Sequence, residues 1–264
     1  SPRGNDLPAG TAVVTAGQWL SPARVGALAA AGIADLLVFA QPIVALASTG
    51  DELVVPGRPL GPGQIHDVNR YTLPPVIAAH GALARHLPPI GDGLDDIHAA
   101  LDATTGADLV VFTGGSSVGD RDLVAAAVAE RGEIVFHGVA MKPGKPTLLA
   151  RLRAEADAPA GRLFLGLSGN PTSCLANAYV ILVPLLRLMG RLPAWQPRQV
   201  TATLGRDILA RADRHEFHPV RINGDTAVTA FKGSGEITSL SRADGYVEIP
   251  AGTGRLAAGT PVTV

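Results

Sequence analysis

Between residues 42 and 190, nearly unbroken apolar runs alternate with stretches of helical spacing. PIVALAS, ADLVVFT and GRLFLGL carry few polar residues, so they predict strands buried on both faces. Around them, VNRYTLPPVIAAHG, LDDIHAALDATTG, DLVAAAVAERG and NPTSCLANAYVILVPLLRLMG read as helices. Pro74 and Pro75 disturb the first half of the first of these, and Pro184 predicts a bend in the last. EIVFHGV reads as a strand leading into MKPGKP, and TLLARL and GRLFLGL read as strands around a polar hairpin. Such alternation predicts an α/β domain whose mainly parallel sheet is covered by helices on both faces.

The pattern changes on either side. RQVTATLG, HEFHPVRI, TAVTAF, GYVEIP and TPVTV are short, β-rich and separated by turn residues. They predict a small all-β domain over 191–264, with Pro193 and Pro197 marking the linker. Residues 1–41 form a short mixed segment. There SPARVGALAAAG has an N-cap serine, Pro22 at the first helical position and Gly32 as a stop. ADLLVFA follows and reads as a strand. The expected division is therefore 1–41, 42–190 and 191–264, with no internal repeat.

Composition narrows the class. The 264 residues hold 22 Lys+Arg against 23 Asp+Glu, a balance that argues against a nucleic-acid surface. Gly (31) and Pro (21) are frequent without being periodic, which fits a folded chain with many turns. Aromatics are scarce, so the core must be built from Ala, Val, Leu and Ile. Cys174 is the one cysteine, which rules out an intrachain disulfide and fits a reducing, cytoplasmic setting. The polar N-terminus shows no secretory signal. The apolar run at YVILVPLL falls short of the roughly 20 residues of a membrane span, so no membrane partner is expected. The chain starts with Ser1 rather than Met, which suggests an excised or processed piece.

The chemistry concentrates in loops. STGDEL (48–53), TGGSSVGDRD (113–122) and LSGNPTS (167–173) each follow a predicted strand. In an open parallel sheet such loops project from the carboxyl ends of the strands, where ligands bind. Their glycines allow close approach to a phosphate, and the helices after the second and third loops offer free N–H groups. Lys142 and Lys145 sit three residues apart in MKPGKP, each followed by a proline, with Gly144 between them. Two cations on so stiff a turn are tolerable if an anion sits between them; the plainer alternative is a turn with two solvated lysines. Asp51, Glu52, Asp67, Asp92, Asp120 and Asp122 lie in or beside these loops. Carboxylates beside phosphates suit Mg²⁺, although about half are expected to be helix caps or solvated loop acids. The histidines lack metal-ligand spacing, since His215 and His218 would point to opposite faces of one strand. Neither Ser117 nor Ser173 has a nearby His–Asp pair, so a serine-hydrolase triad is not supported. Cys174 lies in an apolar helix and reads as core.

STGDELVVPGRPLGPGQIHDVN, TGGSSVGDRDLV, FHGVAMKPGKP, GLSGNPTS and RHEFHPVRI together resemble the MoeA family of molybdopterin molybdenumtransferases, which includes the E domain of gephyrin. The resemblance runs through the chain in family order. It implies a MogA-like three-layer domain over 42–190 with a mainly parallel sheet, then a small β-barrel-like domain over 191–264. Residues 1–41 would be the remnant of an elongated N-terminal domain that lacks its lid-like part. It implies molybdenum cofactor biosynthesis: molybdate enters adenylylated molybdopterin, AMP leaves, and a divalent cation, expected as Mg²⁺, is needed.

The same resemblance implies the site. Asp122, Glu52 and Asp92 match catalytic acids, and Asp122, Asp51 and Asp67 are the expected metal ligands. Gly114, Gly115, Ser116, Ser117, Lys142, Lys145, Asn170, Pro171, Ser173, Arg214 and Ser234 are the expected substrate-binding residues. Ser116, Ser168 and Pro219 depart from the family pattern, which more often has Val, Pro and Arg there. Expected partners are a MogA-type adenylyltransferase upstream and, in the full-length protein, a second copy. Two alternatives stay open: a MogA-type adenylyltransferase, against which the β domain and KPGKP argue, and a paralogue serving as a binding scaffold.

Overall fold

The computed structural model describes residues 2, 4–115, 122–156 and 158–264. Its larger sheet has six strands in the order Leu83–His86, Ile43–Ser48, Leu109–Thr113, Arg162–Leu167, Leu148–Leu152 and Gly132–His137. The first four are mutually parallel, and Leu148–Leu152 runs antiparallel to both of its neighbours. The three apolar runs of the sequence are therefore the central strands, and Val44, Val110 and Phe164 are fully buried. The outermost strand, Gly132–His137, instead alternates between half-buried and exposed positions, as an edge strand should.

Both faces are covered. On one side helix Asn69–Ala79 and the long helix starting at Pro171 pack on Val44, Leu109 and Leu165. On the other, helices Leu94–Asp102 and Leu123–Arg131 pack on Val110, Phe112 and Phe164. Pro74 and Pro75 lie inside an unbroken helix, where burial of Leu73, Val76 and Ile77 offsets the backbone bonds the prolines cannot make. The bend expected at Pro184 takes a specific form: a π-helical turn, Ala178–Leu182, sits directly before it. The Pro171–Met189 helix is apolar and long enough to cross a membrane, yet half of its most apolar window is buried against the sheet.

The second sheet runs Gly245–Ile249, His215–Asn223, Thr226–Thr229, Thr201–Leu204 and Pro261–Thr263. It has its own apolar core around Leu204, Val220 and Ile249. Met141–Lys142 leaves the α/β domain to pair in parallel with this sheet, setting Met141 opposite His215 and Lys142 opposite Glu216. The two sheets are thereby joined through the backbone of the MKPGKP turn.

The N-terminal helix Pro22–Ala30 forms as expected, with Ser21 Oγ accepting from Arg24 N at 3.3 Å. The expected ADLLVFA strand does not form. A strand needs a ladder partner, and residues 34–40 find none among the described residues, leaving Leu37 and Phe39 exposed.

Candidate active site

Loops after three parallel strands converge at one end of the larger sheet. They wall a cavity of about 720 Å³ lined by Thr49, Gly50 and Glu52, by Thr113, Gly114 and Gly115, and by Ser168, Gly169, Asn170 and Pro171. The segment Ile65–Asn69 also lines it, with Leu53, Asp92, Pro146, Gly235 and Ile237. Some of the glycines make room for the protein itself. At Gly114 φ is +91° and a Cβ would meet the Thr49 carbonyl oxygen at 2.5 Å. At Gly115 a Cβ would meet a methyl of Val124 at 2.6 Å.

The acids divide by environment. Asp51 and Asp92, both exposed, bond each other's backbone: Asp51 N donates to Asp92 Oδ2 and Asp92 N to Asp51 Oδ1, each at 3.3 Å. Glu52 lines the cavity with its carboxylate folded over Gly50. Asp67 is buried and accepts from Arg70 N at 3.1 Å, while its second oxygen has no hydrogen-bond partner among the described residues. Asp122 is the N-cap of helix Leu123–Arg131, accepting from Ala125 N at 2.8 Å. Its other oxygen lies 3.1 Å from His137 Nε2. Burial raises the Asp122 carboxyl above the ordinary aspartate range, opposed by the Ala125 amide and His137. Asp122 and Asp51 line neither cavity.

Among the described residues, no three Asp, Glu, His or Cys side chains form a group that could hold a metal ion. Asp122, Asp51 and Asp67 do not come together as a ligand set.

At the helix after the third loop, the expectation of free N–H groups is corrected by hydrogen bonds. Thr172 N and Ser173 N both donate to the carbonyl oxygen of Ser234, at 3.1 and 3.4 Å. Cys174 N donates to Asn170 O at 2.8 Å. Pro171 has no N–H, so every donor of that first turn is satisfied by the protein. At the other helix the Asp122 carboxylate occupies Ala125 N.

A second cavity of about 290 Å³ adjoins the first, and the two share Pro146, Ser168 and Asn170 as lining. Its walls carry Lys142, Lys145, Arg211 and Arg214, together with Ser173, Ser234 and Phe231. The turn between the lysines is tightly held. Gly144 has φ +104°, its carbonyl accepts from Asn177 Nδ2 at 3.0 Å and from Thr147 Oγ1 at 2.9 Å, and a side chain there would overlap the Asn177 amide. The two lysines differ sharply. Lys142 Nζ bonds both carboxylate oxygens of buried Glu216 at 3.2 Å and stands 5.3 Å from the centre of the Phe231 ring. Lys145 is exposed and has no ion pair among the described residues. Asp213 bonds both arginines, at 3.0 Å from Arg211 Nε and 2.8 Å from Arg214 Nη2.

Of the residues expected from sequence, Glu52, Asp67, Asp92, Gly114, Gly115, Asn170 and Pro171 line the first cavity. Lys142, Lys145, Asn170, Ser173, Arg214 and Ser234 line the second. Ser116, Ser117 and Asp120 lie outside the described residues. Sequence reasoning missed Arg211, Asp213, Glu216 and His218. The signal for two of them was present: Glu216, His218 and Val220 share one face of a strand, so a carboxylate and an imidazole occupy core positions beside a core valine.

Residues 45–188 match a family described as "Probable molybdopterin binding domain", and residues 201–264 match the "MoeA C-terminal region (domain IV)". A molybdopterin molybdenumtransferase from Haemophilus influenzae is 30% identical over 99% of this chain and 65% of its own. Molybdopterin molybdenumtransferase 2 from Mycobacterium tuberculosis is 33% identical over the same shares. The chain thus spans about 65% of the length of these relatives. Among solved structures, a molybdopterin biosynthesis MoeA protein from Pyrococcus horikoshii superposes with TM-score 0.80 at 37% identity, covering 96% of this chain and 61% of that one.

Proposed function

The chain belongs to the MoeA family, and on that premise we propose that it inserts molybdate into adenylylated molybdopterin with release of AMP, a step of molybdenum cofactor biosynthesis. The observation behind this reading is the meeting of two unlike cavities at Pro146, Ser168 and Asn170. The larger, walled by glycine loops and acids, suits the adenylylated pterin. The smaller, with four cationic side chains, suits a compact oxyanion such as molybdate. Their shared wall would bring the dithiolene and the oxyanion together.

In this reading Lys145 attracts the incoming dianion, and Lys142 and Arg214 fix it beside Ser173 and Ser234. Glu52, Asp92 and Asp122 are the acids at the phosphate end. Mg²⁺, when bound, neutralises phosphate charge there. Glu52, Asp67 and Asp92, which line the first cavity, are the carboxylates able to hold it together with substrate phosphates. A MogA-type adenylyltransferase is the enzyme class that supplies the adenylylated substrate, and the full-length protein is proposed to act as a homodimer. The MogA-type alternative for this chain itself is not favoured, because residues 201–264 match the MoeA C-terminal region.

The test is molybdate-dependent AMP release. Purified chain is mixed with adenylylated molybdopterin and Mg²⁺, and AMP is followed while molybdate is titrated. AMP appearing in proportion to bound molybdate supports the reading. If the chain binds neither compound, the reading fails.

A further inference from the structure

Behind the wall of the smaller cavity lies a carboxylate that does not face it. Glu216 is 1% exposed and is not part of the cavity lining. Its oxygens are fully engaged. Both bond Lys142 Nζ at 3.2 Å, one lies 3.0 Å from His218 Nδ1, and the other accepts from Arg211 N at 3.4 Å. His218 is held in turn by Thr229 Oγ1, 2.6 Å from its Nε2. The backbone adds a second constraint, because Lys142 and Glu216 are direct partners in the parallel pairing that joins the two sheets.

This arrangement is costly for a site that would bind a dianion, since a carboxylate close to an oxyanion repels it. A buried ion pair is also weak evidence for stability, because apolar replacements of such pairs often fold as well or better. The geometry offers another account. Lysine is a point charge on a flexible stem, and an untethered ammonium spreads over many positions. Glu216 ties the Lys142 ammonium at one point of the cavity wall, next to the Phe231 ring.

We propose that Glu216, braced by His218, is a positioning residue for anion binding: it acts through Lys142, trading some Coulomb attraction for a fixed cation. The inference rests on the reading of the smaller cavity as an oxyanion site. It also makes the docking of the β domain, which carries Glu216, a condition for a competent cavity in the α/β domain, which carries Lys142.

The two roles of a carboxylate here predict opposite signs. If Glu216 were only a nearby negative charge, Glu216→Gln would tighten molybdate binding. If it positions Lys142, the same change weakens it, and about tenfold is expected for loss of one fixed charge-assisted contact. Isothermal titration of the chain with molybdate reads this directly. In a Lys142→Ala background the Glu216→Gln effect should fall below about twofold, a coupling that a general structural role does not produce. Glu216→Asp keeps the charge but shortens the reach, so it should also weaken binding; it is read in the same way if Glu216→Gln fails to fold. Unchanged or tighter binding in the folded variant overturns the inference, as does an undiminished effect without Lys142. Absence of molybdate binding by the unaltered chain instead sinks the oxyanion reading itself.

Discussion

The carbonyl oxygen of Ser234 accepts the backbone N–H of Thr172, so a loop of the β domain caps a helix of the α/β domain. The contact is reinforced by Asn170 Nδ2 donating to Ser234 Oγ at 3.3 Å and by Thr172 Oγ1 donating to Glu236 O at 2.7 Å. Together with the Lys142–Glu216 pairing, it places the smaller cavity on a seam between two sheets. Lys142 and Lys145 come from the MKPGKP turn and Arg211 and Arg214 from the loop before strand His215–Asn223, so neither segment makes the cavity alone.

The Thr172 hydroxyl is fully buried and serves this seam. Thr172→Val keeps the shape but removes one of the two bonds to the Glu236 carbonyl, which still accepts from Ser239 N at 2.9 Å. Loss of one such hydrogen bond costs about 0.5–1.5 kcal/mol. Urea unfolding should show that loss, together with weaker molybdate binding because Ser234 moves with the loop. Unchanged stability would mean the loop docks by other contacts.

Gly144 sits between the two lysines of the turn, and its φ of +104° excludes most side chains. Gly144→Ala adds backbone strain and forces the Asn177 amide aside. We expect a loss of at least about 2 kcal/mol from strain and overpacking combined. The readout is a lower thermal midpoint. A midpoint within a degree of the unaltered chain would show that the turn relaxes freely.

Much of this was legible in the sequence, and the failures have physical causes. PIVALAS, ADLVVFT and GRLFLGL declared themselves as central strands because burial on both faces leaves few polar residues. ADLLVFA is similarly apolar but has no partner strand among the described residues, a tertiary fact that local pattern cannot supply. The described parts of the Gly-rich loops lie at one end of the sheet, as expected. The N–H groups expected to be free after the third loop are not, because the Ser234 carbonyl that occupies Thr172 N and Ser173 N comes from a distant part of the chain. Lys142 and Lys145 look equivalent in MKPGKP, yet only Lys142 faces Glu216, and strand pairing decides that.

Acid should loosen the seam. Burial raises the Glu216 pKa, but bonds from His218 and Lys142 outweigh it, so the net shift is downward. A carboxyl with a depressed folded pKa stabilises the fold above its unfolded value, near 4.3 for glutamate. That stabilisation is lost as pH falls through the lower folded value. Unfolding free energies from pH 6 down to pH 3 should therefore fall more steeply for the unaltered chain than for Glu216→Gln. Parallel curves would show that the pairing leaves Glu216 titrating as it does in the unfolded chain.

The structural and proposed chemical roles of Asp122 can be separated by one substitution. As an N-cap, Asp122 accepts from Ala125 N, and asparagine serves that position about as well. Asp122→Asn should therefore keep helix Leu123–Arg131, with stability within about 1 kcal/mol of the unaltered chain. Asp122→Ala loses the cap and should cost about 1 kcal/mol more. What asparagine cannot supply is the charge, which lies 3.1 Å from His137 Nε2. If that charge serves AMP release, Asp122→Asn releases AMP at least about a hundredfold more slowly, in line with loss of one catalytic acid–base or electrostatic group. Nucleotide should still bind, since Asp122 lines neither cavity. Stability, AMP binding and AMP release, measured on the same two variants, then give distinct patterns. Loss of release with fold and binding intact assigns the chemistry to the carboxylate. Normal release by Asp122→Asn would mean that Asp122 is a helix cap and nothing more, and the acid would have to be sought at Glu52 or Asp92.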